Sequence, residues 1–149
     1  MASVKPSDRI AFVGKTGSGK SYAARLLTKN IQRLVVLDPK GTLGANSGWN
    51  LTQWDSSTER ALQNGEPVRA RIQAPLDGNW EPFLETIYHS ENVTVYIDEM
   101  YGVIQSASKP GQWLTALYTR GRELKIGVWT STQRPTWIPL FLVKLSRYL

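Results

Sequence analysis

With 149 residues, 41% hydrophobic and 20% charged, the chain is long enough for one sizeable core and has the composition of a globular protein. It contains no cysteine, which excludes disulfides and thiolate metal sites, and no apolar run reaches the ~18 residues of a membrane-spanning helix. A formal net charge of +6 leans towards a polyanionic partner without naming one. The N-terminal "MASVKPSDRIAF" lacks the apolar core of a secretion signal, so a cytoplasmic location is expected.

The short apolar run "RIAFVG" predicts a strand over about 9–14. It runs directly into "GKTGSGKS", where Gly14, four residues and then Gly19-Lys20-Ser21 fit the phosphate-binding loop pattern G-x-x-x-x-G-K-[ST]. Glycines at 14, 17 and 19 let successive N–H groups converge on a phosphate with no Cβ in the way. The expected cradle therefore runs through Gly14, Lys15, Thr16, Gly17, Ser18, Gly19, Lys20, Ser21 and Tyr22. A helix over about 19–30 follows, with Tyr22, Ala23, Leu26, Leu27 and Ile31 near helical spacing, and it aims its positive dipole end at the same anion. Lys20 is then expected to reach the β and γ phosphates of a nucleotide such as ATP, and the Ser21 hydroxyl to ligate Mg²⁺.

"RLVVLDPKG" is a continuous apolar run, as in a parallel strand buried on both faces. Thr42 to Trp54 reads as loop. "SSTERALQNG" predicts a short helix with Ser57 or Thr58 near its start and Gly65 beyond its end. "PVRARIQA" alternates and opens on proline, which predicts an edge or secondary strand. "NWEPFLETIYHSEN" predicts a helix with Pro82 in its first turn and His89 on its surface. "VTVYIDEM" reads as a buried strand, the punctuated stretch Tyr101 to Trp113 as a loop carrying Lys109, "GQWLTALYTRGREL" as a helix, and "IGVWTSTQRP" as a strand stopped by Pro135. Strands alternating with helices imply a three-layer α/β/α sandwich on a mainly parallel sheet. Ligands bind such sheets at the carboxyl ends of the strands, where Gly14 onward, Asp38, Asp98, Glu99 and Gln133 all fall.

The chemistry at those ends is specific. Asp98 suits the Mg²⁺ shell, acting with Ser21 and water, and Glu99 suits a base or water-positioning residue for attack on a γ phosphate. A water-activating glutamate would waste nucleotide in a phosphotransferase, so the pair argues for hydrolysis. Gln133, at the tip of the following strand, could orient that water and report the presence of the phosphate.

Taken together, "GKTGSGKS", "VVLDPKG", "VYIDEM" and "TRGRELKIGVWTSTQRPTWIP" resemble the additional-strand, catalytic-glutamate P-loop NTPases, and among them the FtsK/HerA superfamily of DNA-pumping motors. The compact size is similar to the genome-packaging ATPases of viruses and phages. That resemblance implies an ATP- and Mg²⁺-dependent motor on double-stranded DNA, a homo-oligomeric ring (pentamer or hexamer) with ATP at its interfaces, and a capsid portal or vertex protein as partner, in the host cytoplasm. It further implies an arginine supplied in trans to a neighbour's γ phosphate. Arg120 and Arg122 are the candidates, with Arg134 a third. The resemblance treats 1–149 as a single ATPase domain. Family members carry at least one more core strand past Gln-Arg-Pro, so either "IPLFLVKL" is the last strand or the domain is a truncated or minimal version. Two other readings fit the same loop: a P-loop phosphotransferase acting on a small substrate, and a nucleotide-dependent phage assembly factor.

Overall fold

The computed structural model describes residues 4–15, 19–104, 109–133 and 146–148. The elements run in the order β1 (Arg9–Val13), α1 (Lys20–Thr28), β2 (Arg33–Asp38), β3 (Thr52–Gln53), α2 (Ser56–Gln63), β4 (Val68–Gln73), α3 (Glu81–Ser90), β5 (Thr94–Asp98), α4 (Gln112–Arg120), β6 (Gly127–Thr132) and β7 (Arg147–Tyr148). Among the described residues they build one sheet of order β3-β4-β2-β5-β6-β1-β7, and every pairing in it is parallel. The topology decides where a site can lie. The strand that feeds the glycine loop, β1, pairs with β6 and not with β5, so β6 is the additional strand separating the loop from the carboxylates of β5.

Both faces of the sheet are covered, which is why its central strands read as unbroken apolar runs. Alternate residues serve opposite cores, as a period of two requires. Val35, Leu37, Val95, Ile97 and Val128 meet Leu62 of α2, Leu84 and Ile87 of α3, and Leu114 and Leu117 of α4. Leu34, Val36, Tyr96 and Trp129 face the other way, against Ala24 of α1, Leu43 and Trp49. On that second side a loop does part of a helix's work: Trp49 stacks on Tyr96 with centroids 5.2 Å apart and planes 21° apart.

Two strands begin with buried arginines. Arg9 donates through Nη2 to Leu117 O (2.7 Å), through Nε to Tyr118 O (3.1 Å) and through Nη1 to Ile126 O (3.1 Å), closing carbonyls near the end of α4. Arg33 donates likewise to Leu62 O (3.0 Å), Glu91 O (3.1 Å) and Asn92 O (2.7 Å). A guanidinium's five donors suit the orphan carbonyls at helix ends, and burial pushes both groups below the ordinary arginine range.

Two expectations need correction, the edge position of β4 and the loop reading of Thr52 and Gln53. β4 is an interior strand, paired on both sides by β2 and β3, because two residues of the presumed loop, Thr52 and Gln53, form the edge. Ser57 and Thr58 lie near the start of α2, as expected, and its N-cap is Asp55; the Asp55 carboxylate accepts from Thr58 N (2.8 Å), and Thr58 Oγ1 accepts from Asp55 N in return (2.8 Å), a reciprocal capping box. The described C-terminal strand is Arg147–Tyr148, beside β1, whereas "IPLFLVKL" lies outside the described residues.

Candidate nucleotide site

The loop after β1 opens with Gly14 N–H donating to Thr132 O at the end of β6 (3.3 Å), which ties the loop's base to the additional strand. At its far end Gly19 takes φ +87° as the N-cap of α1, a left-handed conformation that glycine adopts without Cβ strain. Thr16, Gly17 and Ser18 lie outside the described residues. Lys20 and Ser21 occupy the first turn of α1, so the helix's unpaired N–H groups point into the same space as the lysine ammonium and the serine hydroxyl.

That space is a cleft of about 370 Å³ lined by Gly19, Lys20, Ser21, Tyr22, Lys40, Thr42, Asp98, Glu99, Ser131 and Gln133. Parts far apart in sequence meet here. Ser21 Oγ donates to Asp98 Oδ1 at 3.3 Å, joining the glycine loop to the end of β5. Tyr96 OH (3.2 Å) and Ser131 Oγ (3.2 Å) donate to the same carboxylate oxygen. Lys20 Nζ donates to Gly14 O and to Lys15 O (3.1 Å). A roomier groove of about 450 Å³ lies at the opposite pole against Arg33, Asn92, Thr94 and Lys125, but no carboxylate lines it, and chemistry outweighs volume in choosing between them.

Charge explains the tuning of the cleft. Burial pulls the Lys20 ammonium below the ordinary lysine range; Lys40 adds to the shift, while Glu99 and Asp98 oppose it. Burial likewise raises the Asp98 carboxyl above the usual range, against the lowering effect of its hydroxyl donors Ser131 and Tyr96. Glu99 sits where the chain leaves the sheet, at φ +76°, a region that costs a non-glycine residue about 1–3 kcal/mol. Its Oε1 accepts from Gln133 N (3.1 Å) and its Oε2 from Tyr101 N (3.3 Å).

Asp38, expected beside these groups because it also ends a strand, has another task. It is fully buried, pairs with Arg71 Nη1 at 2.8 Å, and accepts from Thr42 N (3.1 Å) and Leu43 N (2.9 Å). The carboxylate thus shapes the turn that brings Lys40 and Thr42 into the cleft. Tyr22 is 59% exposed, with the Arg25 guanidinium 5.2 Å from its ring centroid.

Arg120 and Arg122 lie elsewhere. α4 runs back from the site, and Arg122 lines a groove with Arg9 and Tyr118 at the start of β1. A six-residue strand such as β6 spans ~20 Å, well beyond the reach of an arginine side chain, so neither arginine serves the cleft of its own chain. Arg134 lies outside the described residues, and Lys109 is exposed ahead of α4.

Ser131, Tyr96, Lys40 and Thr42 were not singled out from the sequence. A signal for Ser131 exists all the same: in "WTSTQ" the period of two puts Trp129, Ser131 and Gln133 on one face, the face that Tyr96 and Asp98 share on β5.

Residues 6–74 match the family model described as "Helicase HerA, central domain". In sequence the chain is 32% identical over 149 residues to the DNA packaging ATPase of Enterobacteria phage PRD1, covering 96% of this chain and 63% of that protein. Over residues 6–74 the chain resembles the HerA central domain. Its fold agrees: the genome packaging NTPase of Sulfolobus turreted icosahedral virus 2, solved in complex with ATP-gammaS, superposes with a TM-score of 0.75 at 17% identity, covering 96% of this chain and 74% of that one. The N-terminal domain of zonular occludens toxin from Neisseria meningitidis superposes with a TM-score of 0.53 at 19% identity, over 94% of this chain and 73% of that one. At those identities the two structures speak to the fold alone, a P-loop NTPase sheet. The chain spans about 63% of the length of the phage relative it matches.

Proposed function

We propose that residues 1–149 form a single ATP-hydrolysing domain of a motor that drives double-stranded DNA, packaging a viral genome into a capsid. The observation that carries the reading is the meeting of Ser21 with Asp98 at 3.3 Å, in a cleft shared with Lys20 and Glu99. The names of the phage and viral relatives supply the biological direction.

Gly14 to Tyr22 would cradle the triphosphate, with Lys20 neutralising charge on the β and γ phosphates. Mg²⁺ fits the donors present: Ser21 and Asp98 offer hard oxygens, and Asp98 Oδ2 accepts no hydrogen bond among the described residues. No cluster of three or more His, Cys, Asp or Glu side chains exists among those residues to cage a metal. This suits an ion held by one or two protein oxygens, waters and substrate phosphates. When bound, it would neutralise charge on the β and γ oxygens. Glu99 would take the proton of the attacking water as its oxygen bonds to the γ phosphorus and the bond to the β-phosphate oxygen breaks, with Gln133 orienting that water.

Arg120 and Arg122, remote from their own cleft, would complete a neighbour's site in a ring of five or six subunits. Such a ring would thread DNA through its centre and dock on a capsid portal or vertex protein, working from the host cytoplasm. Among the described residues no helix is long and apolar enough to cross a membrane. The test is Mg²⁺-dependent ATP binding and phosphate release by the unsubstituted chain against Lys20→Ala. Loss of both in the variant is expected, and normal turnover without the Lys20 ammonium would overturn the assignment.

A further inference from the structure

Ser131, the penultimate residue of the additional strand, is 3% exposed, and its single hydroxyl touches both carboxylate residues of the cleft. It accepts from Glu99 N at 3.1 Å and donates to Asp98 Oδ1 at 3.2 Å. Each contact lands where orientation is otherwise loose or strained. With Ser21 and Tyr96 also donating to Asp98 Oδ1, three hydroxyls fix the rotation of that carboxylate, and Oδ2 accepts no hydrogen bond among the described residues. Glu99, for its part, holds φ +76°, a conformation that persists only where neighbours over-determine it. Ser131 grips its N–H while Gln133 N, from the same strand end, grips its Oε1 at 3.1 Å.

We propose that Ser131 is a positioning residue that couples the two carboxylates, setting at once which Asp98 oxygen faces the metal and how the Glu99 carboxylate is aimed. The end of β6 thereby makes metal binding and water activation respond to one element. The inference rests on the ATPase reading above, and its test separates the two.

Affinity for a non-hydrolysable ATP analogue is measured with and without Mg²⁺, and hydrolysis by single turnover, in the unsubstituted chain, Ser131→Ala, Ser131→Thr and Tyr96→Phe. In Ser131→Ala the Mg²⁺ enhancement of binding and the single-turnover rate should each fall about 5-fold, the scale of one hydrogen bond. Ser131→Thr, which keeps the hydroxyl, should restore both. Adding Ser131→Ala to Glu99→Gln should lower the rate by less than about 2-fold further, since residues acting as a unit are not additive, while the Mg²⁺ effect persists in full. Tyr96→Phe deletes a donor to the same Asp98 oxygen and leaves Glu99 its partner, so it should weaken Mg²⁺ enhancement more than the rate; this arm stands even where Ser131→Ala does not fold. Full additivity with Glu99→Gln, no rescue by threonine, or unchanged Mg²⁺ enhancement in a folded Ser131→Ala would each overturn the proposal while leaving the ATPase reading intact. No Mg²⁺-dependent binding by the unsubstituted chain would overturn both.

Discussion

Replacing Arg71 by methionine removes the cation from a fully buried carboxylate. Asp38 is 0% exposed and Arg71 13%, with Nη1 2.8 Å from Oδ2. Deleting one partner of a buried pair costs about 3–5 kcal/mol, because the other charge stays behind without compensation. Asp38 keeps the N–H groups of Thr42 and Leu43, at 3.1 and 2.9 Å, so the lower end applies. A loss of about 3 kcal/mol corresponds to a fall in Tm of roughly 10 °C for a chain of this size. The same turn delivers Lys40 and Thr42 to the cleft, so the KM for ATP should rise more than kcat falls. Thermal unfolding followed by circular dichroism, with steady-state phosphate release, reads both effects. Adding Asp38→Asn should recover at least half of the lost stability, since no buried charge then remains. A single variant within about 0.5 kcal/mol of the parent, the range of an ordinary surface change, would refute the reasoning, as would a double variant no better than the single one.

Glu99→Gln should retain binding of ATP with Mg²⁺ while hydrolysis falls by roughly 10²-fold or more, the scale of a general base; equal losses of binding and turnover would make Glu99 structural. Asp98→Asn should raise thermal stability at neutral pH in the presence of EDTA. Burial raises the folded-state pKa of this acid, so its ionised form penalises folding, and the penalty develops as pH rises from the unfolded value of 3.8 through the folded one. The stability gain of the variant should therefore shrink on acidification through that window, which pH-resolved melting curves would show. Gly102→Ala would place a Cβ 2.8 Å from Pro39 Cγ and 2.9 Å from Pro39 Cβ. The rigid ring must yield, at about 1–3 kcal/mol, and displacement of the turn carrying Lys40 should appear as a raised KM for ATP in the folded fraction.

The sheet and the core of the site were legible because their signals are local. Each buried strand is a contiguous apolar run, and the phosphate loop is compact in sequence, so Lys20 and Ser21 could be assigned from "GKTGSGKS" alone. Asp98 and Glu99 stood out only beside the phosphate loop, since an isolated "IDE" reads as two solvated acids ending a strand. What escaped depends on contacts between distant residues. Nothing beside Arg9 announces that its guanidinium will close carbonyls at positions 117 and 118, or that Arg33 will reach positions 62 and 91. Asp55 was not named as the cap of α2 because four capping residues follow one another in "DSST", and only backbone geometry chooses among them. The proline opening "PVRARIQA" suggested an edge, but Pro67 precedes the strand and removes no ladder donor from it. Asp38 shares its strand-end position with Asp98, yet burial against Arg71 gives it a scaffold role that sequence position cannot reveal.

ATP hydrolysis by the unsubstituted chain, measured at low salt with and without double-stranded DNA, is the most direct test of the central claim. A DNA-driving ATPase should hydrolyse ATP faster on DNA. The stimulation should be indifferent to base sequence and should decline as salt rises, because contacts to the phosphate backbone release counterions and read no bases. A rate that is the same with and without DNA across that salt range would contradict the account.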